Sequence, residues 1–229
     1  MKRCYVFTAI ALAVFAISPL AAGPTASQGE SVLAPRSADL SNRNISDAEQ
    51  ARQITNDFAT CMLKRTPRAV ERAAALQSAK ESYGALSKLA SSECLGSVNL
   101  KMPMSLLRGA TYRALYIREY RNAEPKVASS PINYMTEAGQ DEFLQKLARL
   151  NSFGSCVARA NPEASRKLVL ATVATEEEKA AIDALRPHLA DCLPGGTSVK
   201  FSKASLQGLI AEVLFREAEI PVSAARGNK

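Results

Sequence analysis

Apolar residues recur along this chain at three- and four-residue spacing, and no run alternates apolar and polar positions long enough to make a strand. The pattern predicts an all-α protein. Ser46 and Glu49 form a capping box, and the helix they open runs over 47–64 with Ile54, Phe58, Cys61 and Met62 on one face. Thr66-Pro67 starts an alanine-rich helix over 68–76. Leu86, Leu89, Ala90 and Cys94 keep a helical period that Gly96 ends, and Pro103 opens a helix reaching about 121. The later half predicts the same sequence of elements. A helix covers 139–159 with Phe143, Leu147, Leu150 and Phe153, and Asn161-Pro162 caps the next, which carries Leu168 and Leu170. Thr175 to Glu178 is a second capping box, followed by Ile182 and Leu185, and Pro187 is expected to kink or end that helix. Ser202 caps a final helix over 203–219.

The halves share more than a helix plan. Phe58, Cys61 and Pro67 recur as Phe153, Cys156 and Pro162, each 95 positions on, and Cys94 recurs as Cys192. In the closing helices Leu107, Ala110, Thr111, Ala114, Leu115 and Tyr116 align with Leu206, Leu209, Ile210, Val213, Leu214 and Phe215, which marks a buried stripe. Gly109 aligns with Gly208, and a glycine kept inside two helices points to a close helix approach. An offset that drifts by a few residues is what a tandem duplication gives. The expected organisation is two modules of four helices, 45–122 and 138–220, joined by a Pro- and Ser-containing linker over 123–137. One continuous bundle with a shared core is the alternative.

The ends change the picture. Met1-Lys2-Arg3 and the uncharged run over 6–17, broken by Pro19 and followed by Leu20-Ala21-Ala22, predict a signal peptide over 1–22 cut near Ala22. Cys4 lies before the apolar run, where it cannot serve as a lipid anchor at the cut. A polar leader over 23–44 and a tail over 221–229 carry no periodicity. The expected destination is the periplasm or the exterior of a bacterial cell. Processing removes Lys2 and Arg3, which leaves 27 basic against 22 acidic residues, and residues 51–125 hold 12 of the basic and 6 of the acidic ones.

Four cysteines then remain. An even number in an exported chain predicts disulfides, and the repeat favours Cys61–Cys94 and Cys156–Cys192, one bridge per module. The cysteines are too isolated for zinc, and His188 is the only histidine. No nucleophile elbow, phosphate loop or His-Glu-x-x-His pair occurs, and Glu176-Glu177-Glu178 fits the positive end of a helix dipole. The sequence predicts no cofactor, no metal site and no nucleic-acid partner.

One stripe suits binding. Arg108, Tyr112, Tyr116 and Tyr120 recur every four residues, flanked by Arg113 and Arg118. Its counterparts in the second copy differ, and positions that differ are expected to be exposed. Arg108, Tyr112, Arg113, Arg118 and Tyr120 are thus candidate contacts for an anionic envelope polymer or an acidic protein. The expected function is a non-enzymatic interaction module of the cell envelope. An enzyme or enzyme regulator with a site between the modules is the alternative.

Overall fold

The computed structural model describes residues 45–76, 79–90, 92–95, 102–126, 128–194 and 199–218. The expected signal peptide, leader and tail, and Gly96, lie outside them. The helices are α1 (Asp47–Arg65), α2 (Pro67–Ala74), α3 (Ala79–Lys88), α4 (Ser92–Leu95), α5 (Met104–Tyr120), α6 (Tyr134–Ala138), α7 (Glu142–Ala160), α8 (Pro162–Leu170), α9 (Glu176–Asp191) and α10 (Lys203–Glu217). Among the described residues there is no β-sheet, and no helix is long and apolar enough to cross a membrane.

Four caps act where the sequence puts them, but Thr66, expected to cap α2, makes no side-chain capping bond and donates to the Met62 carbonyl instead. Ser46, Asn161, Thr175 and Ser202 each accept a backbone N–H from the third residue on, and Pro67 and Pro162 occupy first turns whose N–H groups would have no partner anyway. Asp141 caps α7, so that helix begins later than its apolar period implied. Residues 134–137, expected in a linker, begin α6, a piece of five residues too short to leave a period. Gly139 ends α6 at φ 56, a left-handed value that glycine takes without strain. The third helix of the first half is broken into α3 and the single turn α4, which carries Cys94.

Pro187 neither ends nor interrupts α9, which runs on to Asp191. Pro187 is exposed, so the carbonyl that loses its helical partner faces water.

α5 and α10 are the central pair. α1, α2 and α3 pack on α5, while α7 and α8 pack on α10. Most of both central helices is buried around the full circumference, as expected of a helix surrounded by others. Gly109 and Gly208 meet where the two cross. A β-carbon built on either would stand 2.7 Å from the other's Cα. One apolar core results, running from Phe58, Met62 and Leu86 through Leu115 and Ile210 to Phe153, Leu168 and Leu185. The expectation of two separate bundles is therefore corrected in favour of a shared core. The apolar stripe could not tell the two apart, because its partner surface is the other half's stripe.

Each half carries its own disulfide, Cys61–Cys94 and Cys156–Cys192, with Cα separations of 5.7 and 5.8 Å. These are ordinary separations for the bond. The first ties α1 to α4 and the second ties α7 to the residue after α9.

Candidate functional site

A cleft of about 770 Å³ opens between the two halves. α2 and α5 form one wall with Ala74, Leu76, Tyr112, Leu115 and Tyr120. α6, α7, α10 and the segment before α6 form the other with Ile132, Tyr134, Leu144, Leu147 and Phe215. The volume lies within the range of roughly 300–1,000 Å³ usual for small-molecule sites, and so does the lining of aromatic and aliphatic groups with a few polar ones. The rings are tilted against one another: Tyr112 and Phe215 lie 5.8 Å apart at 57°, and Tyr120 and Phe215 6.4 Å apart at 60°.

Arg108 reaches the cleft from α5 but spends its whole guanidinium inside the protein. Nε and Nη2 donate to the two oxygens of Glu212 at 3.1 and 2.9 Å. Nη1 donates to Ser82 at 2.7 Å and to the Ala74 carbonyl at 3.4 Å, and Nη2 also meets the Tyr112 hydroxyl at 3.2 Å. That uses all five N–H donors. Burial works against the charge, yet Glu212 and Tyr112 more than restore it and hold the guanidinium above its ordinary value. Tyr112 donates in turn to the Ala74 carbonyl at 2.8 Å, which closes the C-terminal end of α2. Its hydroxyl is pushed up to about 12, first by burial and then by the Glu212 charge.

On the facing wall Asn151 donates through Nδ2 to Glu212 at 3.4 Å. Because a carboxylate only accepts, this contact settles which end of the amide is which. The amide oxygen is buried and has no hydrogen-bond partner among the described residues. Arg216 stacks over Tyr134 at 4.8 Å, donates to Glu137 at 2.5 Å and stands 3.7 Å from Glu212. Tyr134 donates to Glu217. At the mouth Arg118 is shared between Glu71 and Glu119, both at 2.7 Å.

Of the residues singled out in sequence, Arg108, Tyr112, Arg118 and Tyr120 line this cleft and Arg113 does not. Arg113 donates to the Ala171 carbonyl at 2.7 Å, beside the buried pair of Arg52 and Glu178 at 2.6 Å. Burial there lowers its guanidinium to about 10, although Glu178 pulls the other way. Glu178 also accepts the backbone N–H of Ala174, a residue held at φ 63. Tyr116, the remaining member of the stripe, is buried as well.

The expectation that positions differing between the copies are exposed is corrected at Arg108 and Gln207, at Tyr112 and Ala211, and at Glu212, all of which are buried. Arg108 and Glu212 are held by each other across the halves, while Tyr112 and Gln207 donate to the Ala74 and Leu168 carbonyls of their own. Glu212, Asn151, Tyr134 and Arg216 were missed because partners 104, 61, 83 and 79 residues away leave no local period. Glu212 falls off the apolar stripe of its helix, so its burial left no signal in the sequence.

His188 lies half-buried in the last turn of α9, away from the cleft lining. Among the described residues no group of three or more His, Cys, Asp or Glu side chains is placed to hold a metal ion. Comparison with protein-family models, with curated proteins and with solved structures finds no match for the chain.

Proposed function

We propose that the chain is an exported binding protein that takes a small ligand into the cleft between its halves and acts without catalysing a reaction. The observation that carries this reading is the cleft itself, a space of about 770 Å³ walled by aromatic and aliphatic groups between helices of both halves. Its polar groups are tied into ion pairs and helix ends, which suits a wall better than a reaction centre. Export is supported by the signal-peptide pattern over 1–22, with removal near Ala22 and delivery to the periplasm or the exterior. Two disulfides are at home in that oxidising setting.

We read the two halves as copies of one helical unit. Aligned cysteines pair within each half, and the aligned glycines face each other at the crossing. Arg108 and its counterpart Gln207 both donate to carbonyls near the end of the second helix of their own half, at Ala74 and Leu168. On this reading the cleft arose where the copies diverged.

The partner expected from sequence, an anionic polymer or acidic protein, would meet the stripe only at Arg118 and Tyr120 on the cleft's rim, since Arg108 and Tyr112 are internal. The test is native mass spectrometry of the mature protein purified gently from its host, beside thermal melting with an extract of the host envelope. The expected result is an added mass lost on solvent extraction, and a melting temperature raised by the extract. A bare protein mass together with an unmoved melting temperature contradicts the reading.

A further inference from the structure

The cleft's hydrogen-bonding groups define what it can hold. A site that reads an anionic head needs cations in excess, and here each arginine of the cleft already faces a protein carboxylate. Arg108 has all five N–H groups occupied, Arg216 is taken by Glu137 with Glu212 close by, and Arg118 is shared by two glutamates. A ligand carboxylate would have to compete with a protein carboxylate at each of these arginines. A cationic head fares no better, because Glu71, Glu119 and Glu137 are each occupied by an arginine. The hydroxyls of Tyr112 and Tyr134 are spent on Ala74 and Glu217.

One group stands apart. Asn151 is 2 % exposed, lines the cleft, and keeps an amide oxygen with no partner among the described residues. A buried acceptor left without a donor is costly, so this oxygen favours whatever brings an N–H or O–H to it. Elsewhere the cleft's walls carry Leu144, Leu147, Ile132, Leu115 and Phe215.

We infer that the ligand is an uncharged, largely apolar molecule with a hydrogen-bond donor at one end, its body held between the aliphatic and aromatic walls and its donor given to the Asn151 amide oxygen. The inference rests on the cleft being a binding site. It adds that the site selects against carboxylates and reads a hydroxyl or amide N–H.

The experiment measures binding of 1-decanol, decyl methyl ether and decanoate, each below its solubility limit, to the full mature chain with its disulfides intact, followed by tyrosine fluorescence. 1-Decanol is expected to bind at least tenfold more tightly than the ether, which lacks a donor, and than decanoate. In Asn151→Leu the alcohol-to-ether ratio is expected to fall within twofold while the ether still binds. The comparison in the native protein needs no variant, so it decides even if Asn151→Leu fails to fold. Equal binding of alcohol and ether, as when water serves the amide oxygen, overturns the inference and leaves the cleft reading standing, as does tightest binding of decanoate. Failure of all three probes to bind overturns both.

Discussion

Gly109 on α5 and Gly208 on α10 approach so closely that neither has room for a methyl group: a β-carbon on one would lie 2.7 Å from the other's Cα and 3.3 Å from its carbonyl carbon. The obstacle is backbone, which cannot swing aside as a side chain can. Inside a helix alanine is favoured over glycine by about 1 kcal/mol. Here overpacking, which typically costs about 1–3 kcal/mol, is expected to outweigh that gain. Gly109→Ala and Gly208→Ala should each lower stability to urea by about 1–2 kcal/mol net. Either variant proving more stable than the native chain would show that the helices do not meet this closely.

Arg108 and Glu212 also link the halves, with side chains only 7 % and 6 % exposed. Removing one partner of a buried pair leaves the other charge uncompensated, at a cost of about 3–5 kcal/mol. Arg108→Ala should reach that range. Arg108→Met with Glu212→Leu should cost clearly less than the two single changes added together, by about 1–3 kcal/mol. Additive losses in a double-mutant cycle would mean that the pair does not form in solution.

Tyr112 supplies an alkaline signature. Its hydroxyl, near 10 in an unfolded chain, is pushed up to about 12 by burial and by Glu212. The folded state then holds its proton more tightly than the unfolded state. The stabilising contribution is complete below pH 10 and is lost as pH rises from 10 through 12. Arg113, lowered to about 10 by burial, acts in the opposite sense over the same window, so the informative comparison is with Tyr112→Phe. The variant should lose less stability between pH 10 and 12 than the native protein does. In a rapid absorbance titration one tyrosinate fewer should form near pH 12. Identical alkaline limbs would contradict the burial of Tyr112.

The disulfides close loops whose ends are 33 and 36 residues apart. The chain-entropy model gives roughly 3–4 kcal/mol for each. Paired Cys→Ala changes at Cys61 and Cys94, or at Cys156 and Cys192, should each lower the urea midpoint by a corresponding amount. Because both halves share one core, each pair should shift a single transition rather than split it in two. Two separate transitions, with one left unmoved, would show that the halves fold independently.

Much of this was legible in the chain. Ser46, Asn161, Thr175 and Ser202 announced helix starts because a cap is a local device. The cysteine pairing followed from the recurrence of Cys61 and Cys94 as Cys156 and Cys192. The Gly109 and Gly208 match foretold a close approach, though not that the two would approach each other. What stayed hidden was tertiary. Arg108 and Tyr112 look like surface residues beside their neighbours in sequence, and only Glu212 and the end of α2 explain why they are inside. The tyrosine stripe proves to be part of a cleft wall in place of an open face. Asn151 carried no signal, since an isolated asparagine in a helix gives no hint of an acceptor left without a donor.

The most direct test of the cleft as a binding site is heteronuclear NMR of the mature chain, mapped residue by residue, as 1-decanol is added. Shift changes are expected to gather on Tyr112, Tyr120, Tyr134, Leu144, Asn151 and Phe215, from both halves together and in a saturable manner. Changes scattered over the exposed face of α9, or none at these six residues while others respond, would contradict the account.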